Sequence, residues 1–473
     1  MSLTALAATA ALALPLPLEE PTRPWTLMIY GAADNNADGP ILEFLDDIRA
    51  ALDDDPGMEL ILFLDRSEGF SDDARSLGAN FTGARLYRLR KDSAELLDAD
   101  AYFPGMSAEE EYEVDSADPR NVGRFVAFCK ERFPARRYGL MIYSHADGCT
   151  MCPDEESGRD MHIPELTREV GSEASVDFLA LELCNMGGIE IGYQWRPGTG
   201  GFSADVLVAI PSAGPPLDWD RAFRRIRTPG HASPEPAEVL DPAHLTPAAF
   251  GNLVVEEGRR GRQALAAAYP QHAVRLAHEA AACYDLGRAA EVKCRLDAFA
   301  VAVADAGDRV ALEDLRGRDG VARLLNYTKG RLFERPYVDL FDLAQRAARD
   351  ERFDPTVRAA ATELATATDA FVLSSFGMHG LKGFQPGRHG VFLVFPDGDA
   401  VESGQSRRAW ERVSWYTPLP AQDDGAPYGD WAFLADGAIP DNGEVETWFE
   451  LLDSWYDRPT SDGDPGGVNG YLP

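Results

Sequence analysis

The sequence predicts an α/β fold: a mainly parallel sheet flanked by helices, with a helical insertion and a C-terminal part that completes the sheet. Three observations point there. Continuously apolar runs of strand length recur along the first half, stretches with helical spacing fall between them, and 473 residues suffice for two or three packing units. The runs WTLMIYGA (25–32), MELILFLDR (58–66), RYGLMIYSH (137–145), VDFLALELC (176–184) and ADVLVAIP (204–211) read as strands buried on both faces, because they do not alternate with polar residues. Between them GPILEFLDDIRAAL (39–52), NVGRFVAFCKERF (121–133) and IPELTREVGSEA (163–174) carry apolar residues at helical spacing. Strand–helix–strand repetition makes a parallel sheet with helices on both faces.

A Pro-rich connection, TPGHASPEPAEVLDP, follows the last of these strands. The Ala-, Leu- and Arg-rich chain beyond it has helical periodicity, which predicts a helical subdomain over 229–368. Strand-like runs return at DAFVLSSF (369–376) and GVFLVFP (390–396), and an aromatic helical pattern follows around Glu444–Tyr456. The predicted organisation is a leader at 1–24, a core domain at 25–228, the helical subdomain at 229–368, C-terminal strands and a helix at 369–457, and a Gly/Pro/Asp-rich tail at 458–473.

With 45 Lys+Arg against 78 Asp+Glu the net charge is −33, which opposes nucleic acid and anionic membranes and favours basic or neutral partners. Six cysteines (129, 149, 152, 184, 283, 294) are too sparse for a disulfide framework. Cys149 and Cys152 form a C-x-x-C with no second pair at zinc spacing, so a surface loop is expected there and no metal. The first 18 residues are apolar and small but lack a preceding Lys or Arg, half of an export signal, which leaves a secreted or periplasmic location and a cytoplasmic one both open. No segment reaches the roughly 18 apolar residues of a membrane span.

In open parallel sheets the site lies at the carboxyl ends of the strands. Two runs end on reactive residues: RYGLMIYSHADG delivers His145 and VDFLALELCNMGG delivers Cys184. A cysteine with the free pKa of about 8.5 needs a partner to be a nucleophile near neutral pH, and a histidine can take its proton and return it to a leaving amine. Taken alone, a strand-end cysteine is more often packing and a strand-end histidine a satisfied surface group.

Order and spacing of further segments decide between these. WTLMIYGAADNN, LDR (64–66), YGLMIYSHADG, LELCNMGGIE, YDLGRAAEV (284–292), YVDLFDLA (337–344) and GVFLVFP together resemble the clostripain family of cysteine peptidases, over about residues 25–455. The resemblance implies a caspase-like fold, Cys184 as nucleophile and His145 as acid/base. It also implies an oxyanion site from backbone N–H groups of Cys184 and Ala146, and a basic residue before the scissile bond, Arg over Lys. Glu182 stands where the family has the Asp that binds that basic side chain, and strand alternation puts 182 and 184 on one face.

This sequence departs from the family in three places: Ala146 stands where a Gly usually follows the histidine, Glu182 replaces Asp, and SAGPPLDWD follows ADVLVAIP, leaving Asp218 and Asp220 as its acidic residues. These departures keep a second expectation in view, an inactive relative that binds peptides or acts as a scaffold. Peptides or proteins are the implied substrates and no organic cofactor is required. Calcium dependence occurs in the family, but no EF-hand-like loop is found and no ligands are assigned. The stretch CTMCPDEESGRDMHIPE (149–165) reads as a polar loop whose only Lys or Arg is Arg159, the one bond within it that a basic-specific enzyme could cut in itself. Oligomeric state and natural substrate are not legible.

Overall fold

The computed structural model describes residues 23–106, 111–231, 238–316, 326–328, 331–333, 337–395, 431–435 and 445–456. The expected leader, apart from its last two residues, and the tail at 458–473 lie outside the described residues.

In chain order the strands are β1 (Arg23–Ala33), β2 (Met58–Arg66), β3 (Gly83–Leu89), β4 (Ala94–Leu96), β5 (Ala135–Tyr143), β6 (Thr150–Asp154), β7 (Arg159–His162), β8 (Val176–Glu182), β9 (Ala204–Ala209), β10 (Ala280–Asp285), β11 (Asn326–Thr328), β12 (Arg331–Phe333), β13 (Tyr337–Asp339), β14 (Val372–Gly377) and β15 (Phe392–Val394). Nine of them form one sheet in the order β14-β10-β9-β8-β5-β1-β2-β3-β4. The five central strands, β9 to β2, run parallel, and both margins are antiparallel. All nine residues of β2 are buried, as a strand covered on both faces requires.

Alternation splits the core in two. Met28, Tyr30 and Ala32 of β1 face one layer, while Leu27 and Ile29 face the other. Helices α1 (Asp38–Ala51), α5 (Trp219–Arg225) and α6 (Pro247–Ala268) cover the second layer, through Ile41, Phe223 and Phe250. The first is covered by α2 (Pro119–Arg132), α3 (Ile163–Glu169), α4 (Ile189–Gln194), α8 (Ala289–Ala306), α9 (Arg309–Arg316), α10 (Leu340–Arg349) and α11 (Pro355–Phe371); a short α7 (Ala273–Leu276) precedes β10. Three helices start alike: Asp118, Thr246 and Asp354 accept a first-turn N–H, and Pro119, Pro247 and Pro355 follow. Each such cap contributes about 1 kcal/mol.

The five expected strands of the first half are present within one or two residues at either end. The stretch 229–368 is mostly helical where described, yet it is no separate helical unit, because it supplies β10 to the main sheet and its helices cover that sheet. Of the two late runs, DAFVLSSF finishes α11 and then forms β14 on the sheet margin, whereas GVFLVFP forms β15, which pairs with β13 outside the main sheet. The expected polar loop at 149–165 is a hairpin of β6 and β7, and Cys149 and Cys152 are fully buried rather than on a surface loop. Among the described residues no helix is long and apolar enough to cross a membrane.

Candidate active site

Parallel strands deliver their chain ends to one side, and the segments leaving β1, β5, β8 and β9 converge there on a cleft of about 390 Å³. In the β5–β8 register Tyr143 stands beside Glu182. His145 and Cys184, each two residues further on, therefore emerge at the same level of neighbouring strands. Both line the cleft, with Asn36, Tyr143, Glu182, Gly214 and Arg275 among the other lining residues.

His145 lies on the open side of the cleft. Its Nε2 is 2.7 Å from Asn36 Oδ1, and since an amide oxygen only accepts, Nε2 carries the proton and Nδ1 is left as the acceptor. Surrounding protein desolvates the ring enough to hold its pKa below the ordinary imidazole value. Cys184 is half-buried, with Sγ 4.0 Å from the carbonyl oxygen of Gly214. The backbone after it is held from the β9 side: Asn185 N–H donates to Ser212 O at 2.8 Å and Met186 N–H to Ile210 O at 2.9 Å. Asn185 has φ +59°, a left-handed conformation that asparagine tolerates better than most residues.

The turn after His145 explains what Ala146, Asp147 and Gly148 do. Ala146 faces Met151 in an isolated bridge flanked by Asp147 N–H to Thr150 O (3.2 Å) and Cys152 N–H to His145 O (3.0 Å). In such a pair the central N–H points away from the partner strand, so that of Ala146 is not spent on β6. Asp147 Oδ1 accepts from the N–H groups of Cys149 and Thr150, both at 3.0 Å, and Tyr337 Oη donates to Asp147 O at 2.7 Å. Gly148 has φ +104°, and a Cβ there would lie 2.3 Å from Tyr337 Oη. The glycine of this turn stands three residues after the histidine instead of one.

Glu182 is 5% exposed; its carboxylate accepts from Leu217 N–H (2.8 Å) and from Trp219 Nε1–H (2.6 Å). Burial raises its pKa, and these two bonds offset part of the rise. Asp218 is not among the residues lining the Cys184 cleft. It borders an adjoining groove of about 310 Å³ with Glu43, Asp47 and Asp220, and its carboxylate, pushed up to about 6 by burial, pairs with Arg262 at 2.8 Å. The groove and the cleft share Pro40, Tyr143, Pro215 and Pro216. Arg262 fixes that shared wall by donating to the carbonyls of Pro215 (2.6 Å) and Pro216 (2.7 Å), and its Nε pairs with Glu279 at 2.6 Å.

Arg159 lies away from the cleft, at the exposed tip of the β6–β7 hairpin, with Nη1 2.7 Å from Asp115 Oδ2. Residues of the site that the sequence reading did not single out are Asn36, Tyr143, Arg262 and Arg275. Asn36 was within reach as the end of WTLMIYGAADNN, where an apolar strand ends in polar residues just as it does at His145.

Comparisons with known proteins bear on the family and the fold. A family model described as the clostripain family matches residues 29–455. Clostripain of Hathewaya histolytica is 32% identical over 480 residues, which cover 94% of this chain and 89% of that protein. Among solved structures, an inactive zymogen C11 protease from Parabacteroides distasonis superposes with a TM-score of 0.51 over 83% of this chain and 97% of its own, at 13% identity, a likeness of fold.

Proposed function

The chain belongs to the clostripain family of cysteine peptidases, and from that premise we propose that it is an endopeptidase cutting after a basic residue, with Cys184 as nucleophile and His145 as acid/base. The observation that supports this reading is that His145 and Cys184, each two residues beyond the paired Tyr143 and Glu182, line one cleft. Nδ1 of His145, free because Nε2 is engaged by Asn36, takes the thiol proton. The thiolate adds to the peptide carbonyl, and the oxyanion is met by the N–H groups of Cys184 and Ala146. The tetrahedral species then expels the amine, protonated by His145. Water adds to the thioester and releases the acid, restoring the thiol.

A basic side chain passing between Tyr143 and the Pro215–Pro216 wall meets Glu182, and beyond it the acidic groove of Glu43, Asp47, Asp218 and Asp220. Each oxygen of Glu182 already accepts one hydrogen bond but keeps a second lone pair, so a guanidinium can still bind it through two N–H groups, and Arg is favoured over Lys. Cys184→Ala is expected to abolish peptide cleavage and His145→Ala to reduce it at least about a hundredfold, both with unchanged thermal unfolding. Glu182→Gln is expected to cut kcat/KM for Arg substrates more than for neutral ones. A fluorogenic peptide library decides: undiminished cleavage by Cys184→Ala, or best cleavage after neutral residues, would sink the corresponding part.

A further inference from the structure

The cleft holds a cation for which cutting after a basic residue has no use. Of the described residues that line it, Glu182 is the one carboxylate and Arg275 the one Lys or Arg. Arg275 belongs to α7, and the two residues after it, Leu276 and Ala277, are buried (2% and 6% exposed). Backbone bonds hold that segment in place: Glu279 N–H donates to Leu276 O at 3.1 Å and Gly380 N–H to Ala277 O at 2.7 Å. The root of Arg275 is therefore anchored, while the residue itself is exposed at the cleft.

In a chain of 78 Asp+Glu against 45 Lys+Arg an arginine has carboxylates to spare. Arg262, behind the Pro215–Pro216 wall, shows the usual outcome, paired with Asp218 at 2.8 Å and Glu279 at 2.6 Å. Arg275 forms no ion pair among the described residues. Its charge lowers the pKa of Glu279, less than that of Arg262 does, but it makes no bond there: Arg262 holds Oε2, and Oε1 has no hydrogen-bond partner. The cation is close to the reacting centre. Gly214 links the two, since a Cβ on it would lie 3.2 Å from the Glu279 carboxyl carbon and its carbonyl oxygen is 4.0 Å from Cys184 Sγ.

We propose, resting on the reading of this cleft as the peptide site, that Arg275 forms a second subsite, which takes an Asp or Glu side chain of the substrate close to the scissile bond. A guanidinium on an anchored root offers a carboxylate two parallel N–H groups, and an exposed pair of this kind changes affinity by a few-fold rather than by orders of magnitude. The rest of the molecule confines the preference to one place. A net charge of −33 repels an acidic side chain, and so do Glu182 and the groove of Glu43, Asp47, Asp218 and Asp220 beyond it. An acidic substrate residue is thus penalised along the cleft except where it meets Arg275.

The test uses peptides acetylated and amidated at their ends, with a single Arg among neutral residues, in which each of the three positions on either side of the Arg carries Asp or Asn in turn. The ratio of kcat/KM for the Asp peptide to that for the Asn peptide is taken within each protein, so a general loss of activity cancels. At low salt it should exceed about threefold at one position and lie at or below one at the others, and about 0.5 M sodium chloride should erase the preference. Arg275→Gln should bring the favoured ratio to about one. Arg275→Glu should invert it and favour Lys there, and serves if Arg275→Gln does not fold. Fluorescence anisotropy of the same peptides, labelled, on the full chain carrying Cys184→Ala should give the same ratio in binding, and it reads Arg275 even where cleavage is weak. Best cleavage after neutral residues counts against the basic-specific reading alone. A ratio at or below one at every position, in cleavage and in binding, overturns the proposal. So does a favoured ratio that Arg275→Gln leaves unchanged, or a Cys184→Ala protein that binds none of the peptides.

Discussion

Asn36 matters because an imidazole with one nitrogen held has one nitrogen to offer. Its Oδ1, 2.7 Å from Nε2 of His145, makes that nitrogen the protonated one and leaves Nδ1 as the acceptor that the proposed proton transfer needs. Asn36→Ala frees the ring to rotate and to change tautomer, and kcat should fall roughly tenfold or more while KM changes little. A KM effect with kcat preserved would mean that Asn36 contacts substrate instead. Desolvation holds His145 below the ordinary value of about 6.5. The proposed reaction uses the free imidazole, so activity should be lost as pH falls through that lowered pKa, and the acid limb of kcat/KM should lie below about 6.5. His145 and Cys184 were legible because each ends an apolar run with a group capable of proton transfer. The position of Asn36 was within reach as the polar end of a strand, but its role was not, since an amide does not titrate and that role exists only because β1 lies against β5, with Gly31 beside Tyr143.

At the scale of elements, the β6–β7 hairpin governs whether the enzyme can cut itself at Arg159. A peptidase cleft takes an extended strand, whereas Gly158 N–H closes the turn onto Asp154 O at 3.0 Å and Arg159 is tied to Asp115. The bond after Arg159 is exposed but folded back, so the intact chain should be cut there slowly. Asp115→Asn releases the arginine and should speed nicking at Arg159–Asp160, with no nicking when Cys184→Ala is added. Mass spectrometry of the incubated proteins reads this directly, and equal rates in both would deny the ion pair any protective role. The hairpin itself was hidden in a sequence that looks like a polar loop, because only Met151, Cys152 and Met161 face the core and charged residues fill its tip. Three strands of the main sheet were hidden: β4 spans only three residues, and the other two were missed for different reasons. In β3 (GARLYRL) Arg85 and Arg88 interrupt the apolar run, and β10 (AAACYD) is opened by three alanines, the best helix formers, which tertiary pairing with β9 and β14 overrides.

Across the whole molecule the C-terminal segments are fastened to the loop that follows Cys184. Phe392 N–H donates to Gly187 O at 2.9 Å, Tyr284 Oη to Gly390 O at 2.6 Å, and Glu190, in the first turn of α4, accepts Val394 N–H at 2.8 Å through Oε1. Among the described residues these bonds join the C-terminal segments to the main sheet's own loops, an arrangement that helical periodicity alone could not reveal. Glu190 makes the junction sensitive to pH. It is buried, its Oε2 has no partner, and burial pushes its pKa up to about 8 from an ordinary carboxylate value. Between those two pKa values the folded state holds a proton that the unfolded state has released. Stability contributed by this group is therefore complete at low pH and lost as pH rises through the window, by at most ~1.4 kcal/mol per pH unit. Glu190→Gln keeps an oxygen for Val394 N–H and removes the titration. Its melting temperature should fall less between pH 5 and pH 8.5 than that of the parent, and should exceed the parent's at the upper end. The overall charge of −33 also opposes compactness as carboxylates ionise, but that repulsion is nearly the same in both proteins and drops out of the difference. Parallel melting curves for the two proteins, measured in the Cys184→Ala background, would place the sensitivity elsewhere.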